Sequence, residues 1–225
     1  MKIGIIGLGR MGGAIAQRLA ADGHHVYGVD FNQENAELAA KNGVHICSSL
    51  LNLAQQVRIF WLMVPAGEIV DKVIDELSPF LQTGDIIVDG GNSKFTDSIR
   101  RAKELEQKDI SFLDCGTSGG LEGKQIGFCL MIGGKKHVFD HLEPAFISIA
   151  TTGGYAYLGP SGTGHYVKMV HNGIEYALMQ SYAEGLHLIK EGFFKDAHLD
   201  LEKVTCLWNN GSIIRSWLLS LTEEA

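Results

Sequence analysis

The turn Gly7-Leu8-Gly9-Arg10-Met11-Gly12 stands between an apolar run at residues 2–6 and a helical pattern over 11–22. Glycines at that spacing, between a strand and a helix, are the mark of a dinucleotide-binding βα unit. Gly7 permits the tight turn, and Gly9 lets the backbone approach a pyrophosphate. Gly12 lets the helix pack closely on the strand, and the helix N-terminus stabilises the anion. Asp30 ends the next apolar run, 18 residues after Gly12, where an acid can hydrogen-bond a ribose diol. A carboxylate there repels a 2′-phosphate. The residues that follow, Phe31, Asn32 and Gln33, offer no cation to accept one, so NAD is expected over NADP.

Up to about residue 160, apolar strands alternate with helical patterns. Strands are expected at 2–6, 25–30, 44–46, 57–63, 85–89, 111–114, 128–132 and 155–158. Helices are expected at 11–22, 33–42, 48–55, 68–80, 94–107 and 136–149. Fully apolar strands between helices signal a parallel sheet covered on both faces. From 165 to 191 the periodicity predicts one long helix, followed by helices at 201–208 and 212–221. The domains are accordingly expected at 1–160 and 161–225. Residues 212–225 read as a helix with no Gly or Pro stop signal, which suggests a sequence that continues further.

The net charge of −7 argues against sequence-independent nucleic-acid binding, while leaving room for a small anionic ligand. Cys47, Cys115, Cys129 and Cys206 form no CxxC pair, which fits a reducing compartment. The histidines show no metal-ligand spacing, so no metal site is expected. Arg10 and the surrounding glycines interrupt the N-terminal apolar run, so it reads as strand and turn rather than a secretion signal. No stretch is apolar for long enough to span a membrane, and a cytoplasmic protein is expected.

Three further motifs fall at the carboxyl ends of expected strands: Val64-Pro65-Ala66-Gly67, Asp89-Gly90-Gly91-Asn92-Ser93 and Cys115-Gly116-Thr117-Ser118-Gly119-Gly120. Ligands of open parallel sheets sit along this edge. On the long helix, Lys168, His171, Asn172, Glu175 and Tyr176 stand at i, i+3, i+4, i+7 and i+8. At about 100° per residue they share one face, while Val167, Met169, Val170, Ile174 and Ala177 are expected to pack elsewhere. The plain alternative is a solvated face with a Lys–Glu pair. The stripe suits acid–base work on a polyol acid, because oxidising a secondary alcohol needs a base at the hydroxyl. A lysine serves if its neutral form is accessible. Oxidation β to a carboxylate gives a β-keto acid that loses CO₂, and a carboxylic acid nearby can protonate the resulting enol.

On Gly7–Gly12, 89–93, Ser118-Gly119-Gly120 with Glu122-Gly123, and above all 162–180 with its His171-Asn172-Gly173-Ile174-Glu175-Tyr176 string, the chain resembles the 6-phosphogluconate dehydrogenase family. The resemblance covers nearly the whole chain. It implies a Rossmann-type doubly wound, mainly parallel sheet followed by an all-α segment, and oxidative decarboxylation of 6-phosphogluconate to ribulose 5-phosphate and CO₂. It implies that Lys168 is the general base and Glu175 the acid that protonates the enol. Asn92, Ser118, Gly119, Gly120, His171, Asn172 and Tyr176 would bind substrate; Val64, Pro65, Ala66 and Asn92 would line the cofactor, beside Gly7, Leu8, Gly9, Arg10, Met11 and Gly12. NADP-dependent members carry Asn-Arg-Thr where this sequence has Asp30-Phe31-Asn32, and the resemblance is to the shorter bacterial branch. It further implies a homodimer or homotetramer, with a Lys and an Arg for the substrate phosphate supplied beyond residue 225; Arg215 is a candidate contact within the chain. Two rival readings are a non-decarboxylating 3-hydroxyacid dehydrogenase of the 3-hydroxyisobutyrate type and a non-catalytic NAD-binding module.

Overall fold

A computed structural model describes residues 1–120 and 122–223. The elements run β1 (Lys2–Ile6), α1 (Arg10–Ala21), β2 (His25–Val29), α2 (Gln33–Lys41), β3 (His45–Ile46), α3 (Leu50–Ala54), β4 (Ile59–Leu62), α4 (Glu68–Leu77) and β5 (Ile86–Asp89). They continue with α5 (Phe95–Glu106), β6 (Ser111–Ser118), α6 (Gly123–Ile126), β7 (Phe128–Gly134), α7 (Lys136–Ile149), β8 (Ala150–Gly159), α8 (Thr163–Glu191), α9 (Leu201–Asn209) and α10 (Trp217–Glu223). The chain divides into two compact units, Met1–Met169 and Val170–Ala225, and the division falls within α8. No helix among the described residues is long and apolar enough to cross a membrane.

The first unit is an eight-stranded sheet in the order β3-β2-β1-β4-β5-β6-β7-β8. Its pairings are parallel except β6 with β7. Both faces are largely buried over β1, β2, β4, β5, β6 and β7, which is why those strands read as apolar runs, while the edge strands β3 and β8 are largely exposed. Trp61, Val88 and Leu113 point to one face with Ile15, Leu19 and Phe146, while Phe60, Leu62, Ile87 and Phe112 point to the other with Leu53, Val70 and Leu77. Each such side chain contributes roughly 1.5–3 kcal/mol by leaving water. The chain turns back across β1 at the join with β4, so the carboxyl ends of β1, β4, β5 and β6 form a run of neighbouring loops. Ligand crevices of doubly wound sheets open there.

Three differences from the sequence reading have physical causes. β6 runs on through Cys115-Gly116-Thr117-Ser118, expected as a loop, because antiparallel β7 pairs with it out to Ser118↔Cys129. Residues 212–216 are not helical: Gly211 adopts φ +104° beyond the end of α9. The Ser216 hydroxyl then accepts the Leu219 N–H at 3.0 Å, capping a helix that starts at Trp217. Glu224 and Ala225, the end of the segment expected to be an unfinished helix, lie outside the described residues. The apolar flank of α8 is not packed as expected: Val167, Met169, Val170, Ile174 and Ala177 are all exposed.

The start of α8 is held tightly against the sheet. A side chain at Gly164 would put its Cβ 2.3 Å from Met131 O and 2.6 Å from Asp114 O, both backbone atoms that cannot swing aside. Gly164→Ala should therefore lower stability by about 2–3 kcal/mol through overpacking. A Cβ at Gly173, farther along α8, meets nothing within 4 Å, so Gly173→Ala should hold or raise the melting temperature. Thermal melting by circular dichroism of the two variants checks the contrast.

Candidate functional site

The glycine turn forms as the sequence requires. Gly7 sits at φ +93°, donates its N–H to Val29 O at 2.9 Å, and leaves no room for a side chain, since a Cβ would lie 2.5 Å from Met63 O. A Cβ at Gly12 would lie 2.0 Å from Gly7 O, so the helix could not approach the turn otherwise. Gly9 is the opposite case: a Cβ there would face open space. It caps α1 without a side chain, and no acidic residue occupies the first turn. The exposed N–H groups of α1 and the open space at Gly9 fit a pyrophosphate.

Asp30 follows β2 directly and does more than its position in the sequence suggests. Its Oδ2 accepts the Leu8 N–H at 2.5 Å and the Asn35 side-chain amide at 3.3 Å, and its Oδ1 accepts the Asn32 N–H at 2.7 Å. The carboxylate thus locks the middle of the glycine turn while staying partly exposed. Asn32 in turn caps α2, accepting the N–H groups of Glu34 and Asn35.

The loops after β4 and β5 stand side by side. Val64 is half-buried, and Pro65 and Ala66 are exposed beyond it; Asn92 is exposed above the buried Ser93. Gly90 is needed because a Cβ would strike Trp61 Nε1 at 2.2 Å and Met63 Sδ at 2.6 Å. Beneath both loops lies Arg101 of α5, only 1% exposed. It forms a bidentate pair with Asp71 at 2.8 and 3.0 Å, donates to Gly67 O at 2.9 Å and meets Asp89 Oδ2 at 3.3 Å. In the sequence, residues 94–107 read as a charged amphipathic helix, with no buried arginine singled out. Its spacing held a signal nonetheless, since Ser98, Arg101 and Leu105 form the i, i+3, i+7 stripe that is buried.

β6 and the first turns of α8 pack against each other through Gly116, Gly164 and Lys168. Ser118, Gly119 and Gly120 close the strand, the glycines at φ +130° and +53°. Lys168 is buried with its stem against Gly116, where a Cβ would lie 2.5 Å from Lys168 Cβ. The buried carboxylate of Asp114 accepts the Gly162 N–H at 2.6 Å and the His165 N–H at 2.9 Å, capping the helix. Buried His165 holds Ser98 of α5 through Nδ1 at 2.7 Å, and its Nε2 has no hydrogen-bond partner among the described residues. None of Asp114, His165 and Ser98 was expected.

Within the second unit, His171 Nδ1 lies 3.7 Å from Glu175 Oε2 and 3.3 Å from Asn172 Oδ1, a cluster made by one helical turn. Both His171 and Glu175 are part-exposed, and Tyr176 is exposed. Arg215, the speculative contact, precedes α10 and is exposed.

Residues 2–159 match the family model for the NAD binding domain of 6-phosphogluconate dehydrogenase, and residues 164–225 match the C-terminal domain of 6-phosphogluconate dehydrogenase. Among curated relatives, the NAD(+)-dependent, decarboxylating 6-phosphogluconate dehydrogenase of Haloferax volcanii is 49% identical, matched over 100% of this chain and 75% of its own length. A Bacillus subtilis enzyme of the same description is 39% identical over 99% of this chain and 50% of its own length. The solved structure of Plasmodium falciparum 6-phosphogluconate dehydrogenase superposes with a TM-score of 0.90 at 32% identity, over 100% of this chain and 50% of that one. The Salmonella typhimurium 3-hydroxyisobutyrate dehydrogenase, at 21% identity, TM-score 0.86, 100% of this chain and 77% of its own, shares the fold.

The Arg101 guanidinium, hydrogen-bonded to Asp71, holds that carboxyl down from 3.8 to about 2, with Arg100 adding to the effect. A carboxylate whose pKa is depressed on folding contributes stability above its unfolded value and loses it as pH falls through the folded one. The melting-temperature gap between wild type and Asp71→Asn should be full above about pH 4 and close towards pH 2, as read by thermal melts across that window.

Proposed function

We propose that this chain, which belongs to the 6-phosphogluconate dehydrogenase family, is an NAD-dependent oxidoreductase that oxidises and decarboxylates 6-phosphogluconate to ribulose 5-phosphate and CO₂. The observation that carries the reading is the seat of Lys168, buried against Gly116 of the strand whose end bears Ser118-Gly119-Gly120. A lysine so placed contacts the carboxyl edge of the sheet, the side on which Gly7–Gly12 and Asn92 also lie.

The open α1 N-terminus, Gly9 and Asp30 would hold the dinucleotide, with Val64, Pro65 and Ala66 along its nicotinamide half. When bound, NAD supplies the hydride acceptor. Lys168 takes the proton of the substrate hydroxyl, leaving the electron pair to form the ketone as hydride departs. Protonated Lys168 then faces the carbonyl oxygen and stabilises the enolate formed as the carbon–carboxylate bond breaks and CO₂ leaves. Lys168 gives its proton to that oxygen to make the enol; Glu175, in its protonated form beside His171, then gives its proton to the enol carbon as Lys168 takes back the hydroxyl proton and the ketone forms. Asn92, Ser118, Gly119, Gly120, His171, Asn172 and Tyr176 orient the polyol acid. The domain boundary near residue 160 and a cytoplasmic setting belong to the same proposal. So does a homodimer or homotetramer, which the exposed Leu188, Phe193, Leu207 and Ile213 support. A non-decarboxylating 3-hydroxyacid dehydrogenase shares the fold, and release of CO₂ separates the two.

With 6-phosphogluconate and NAD, NADH and CO₂ should appear in equal amounts. Lys168→Met should cut turnover by about 10²–10⁴-fold, the usual worth of a general base, with NAD affinity unchanged in a binding titration. Full activity in that variant overturns the base assignment. Asp30→Ser should narrow the preference for NAD over NADP and also lower the melting temperature, because Leu8 loses its acceptor; initial rates with both cofactors, together with a thermal melt, read the two effects.

A further inference from the structure

The loops after β4 and β5 touch each other directly: a Cβ at Gly91 would lie 3.1 Å from Val64 O. One side chain reaches the supports of both. Arg101 binds the first loop through Gly67 O at 2.9 Å and through Asp71 in the first turn of α4. It binds the second loop through Asp89 Oδ2 at 3.3 Å and Ser93 Oγ at 3.4 Å. Asp89 carries the contact onward, since its Oδ1 accepts the Gly91 N–H at 3.1 Å. Resting on the reading of these loops as the cofactor- and substrate-facing walls, we propose that Arg101 is a positioning residue that fixes loop 64–67 against loop 90–93 and so sets the spacing between Pro65 and Asn92.

Packing alone does not call for this residue. A buried ion pair gives up hydration that its Coulomb attraction barely restores, and an apolar side chain of similar volume often stabilises as well or better. What the guanidinium supplies is geometry. Its planar fork carries five donors in fixed directions, and here five acceptor atoms on four residues, from two loops, the end of β5 and α4, converge on it. A lysine has a single nitrogen and cannot meet Gly67 O, both Asp71 oxygens and Asp89 together. Among the described residues, the outer Arg100, at 45% side-chain exposure, pairs with Asp71 and Glu104 and with neither loop.

The test uses the whole chain and two variants. Arg101→Lys keeps the buried positive charge; Arg101→Met in an Asp89→Asn background removes the charge together with its buried partner, in case the first fails to fold. Amide hydrogen exchange without ligand should show peptides covering 64–71 and 90–93 opening together, about tenfold faster or more, while β1 and α1 keep wild-type protection. NAD titration should show affinity weakened by about tenfold through misplacement of the walls, and the KM for NAD should rise more than kcat falls. Wild-type exchange in both loops, or acceleration spread evenly over the sheet, overturns the positioning role. Failure of the wild-type chain to bind NAD would instead overturn the proposed function, and the exchange pattern would still decide whether Arg101 couples the loops.

Discussion

The carboxylate of Asp114 accepts the N–H groups of Gly162 and His165 at 2.6 and 2.9 Å, wholly out of contact with solvent. A buried carboxylate is costly unless its lone pairs are met, and here the first turn of α8 meets them with its own unpaired donors and the positive end of its dipole. The helix can therefore start in one register only. Gly116 of β6, Gly133 of β7 and Gly164 of α8 leave no Cβ at the points where the three elements approach most closely. With the start fixed, Lys168 falls on Gly116.

Asp89 and Asp114 are register partners on neighbouring parallel strands, and both are buried. Two carboxylates so close destabilise each other unless each has a separate source of positive potential. Asp89 turns to the Arg101 guanidinium and Asp114 to the end of a helix dipole. α5 serves both arrangements, giving Arg101 to one and Ser98, through His165, to the other. The stretch most charged in sequence is thus the internal brace of the sheet edge.

The layered fold was legible because sheet strands buried on both faces must be apolar throughout, and Gly7, Gly12 and Asp30 hold positions that the turn geometry demands. Of the proposed site, helical spacing marks Lys168 as a polar position on an otherwise apolar stretch, and the structure buries it against Gly116. It was hidden where the deciding contact is long-range. Nothing local to Arg101 names Gly67 as its acceptor, and nothing near Asp114 shows that its partners lie some fifty residues downstream. The continuation of β6 through Gly116 was missed because a glycine inside a strand reads as a break, whereas here it makes room for Lys168. The apolar flank of α8 was misread for a related reason: periodicity identifies a face to be covered without saying by what.

The attachment of Asp30 to Leu8 limits how this chain can exchange one dinucleotide for another. The peptide nitrogen of Leu8 requires an acceptor whichever cofactor is present, and residue 30 supplies it. A replacement at position 30 that lacks an acceptor removes a strut of the glycine turn, and some other group near Leu8 must then meet that N–H.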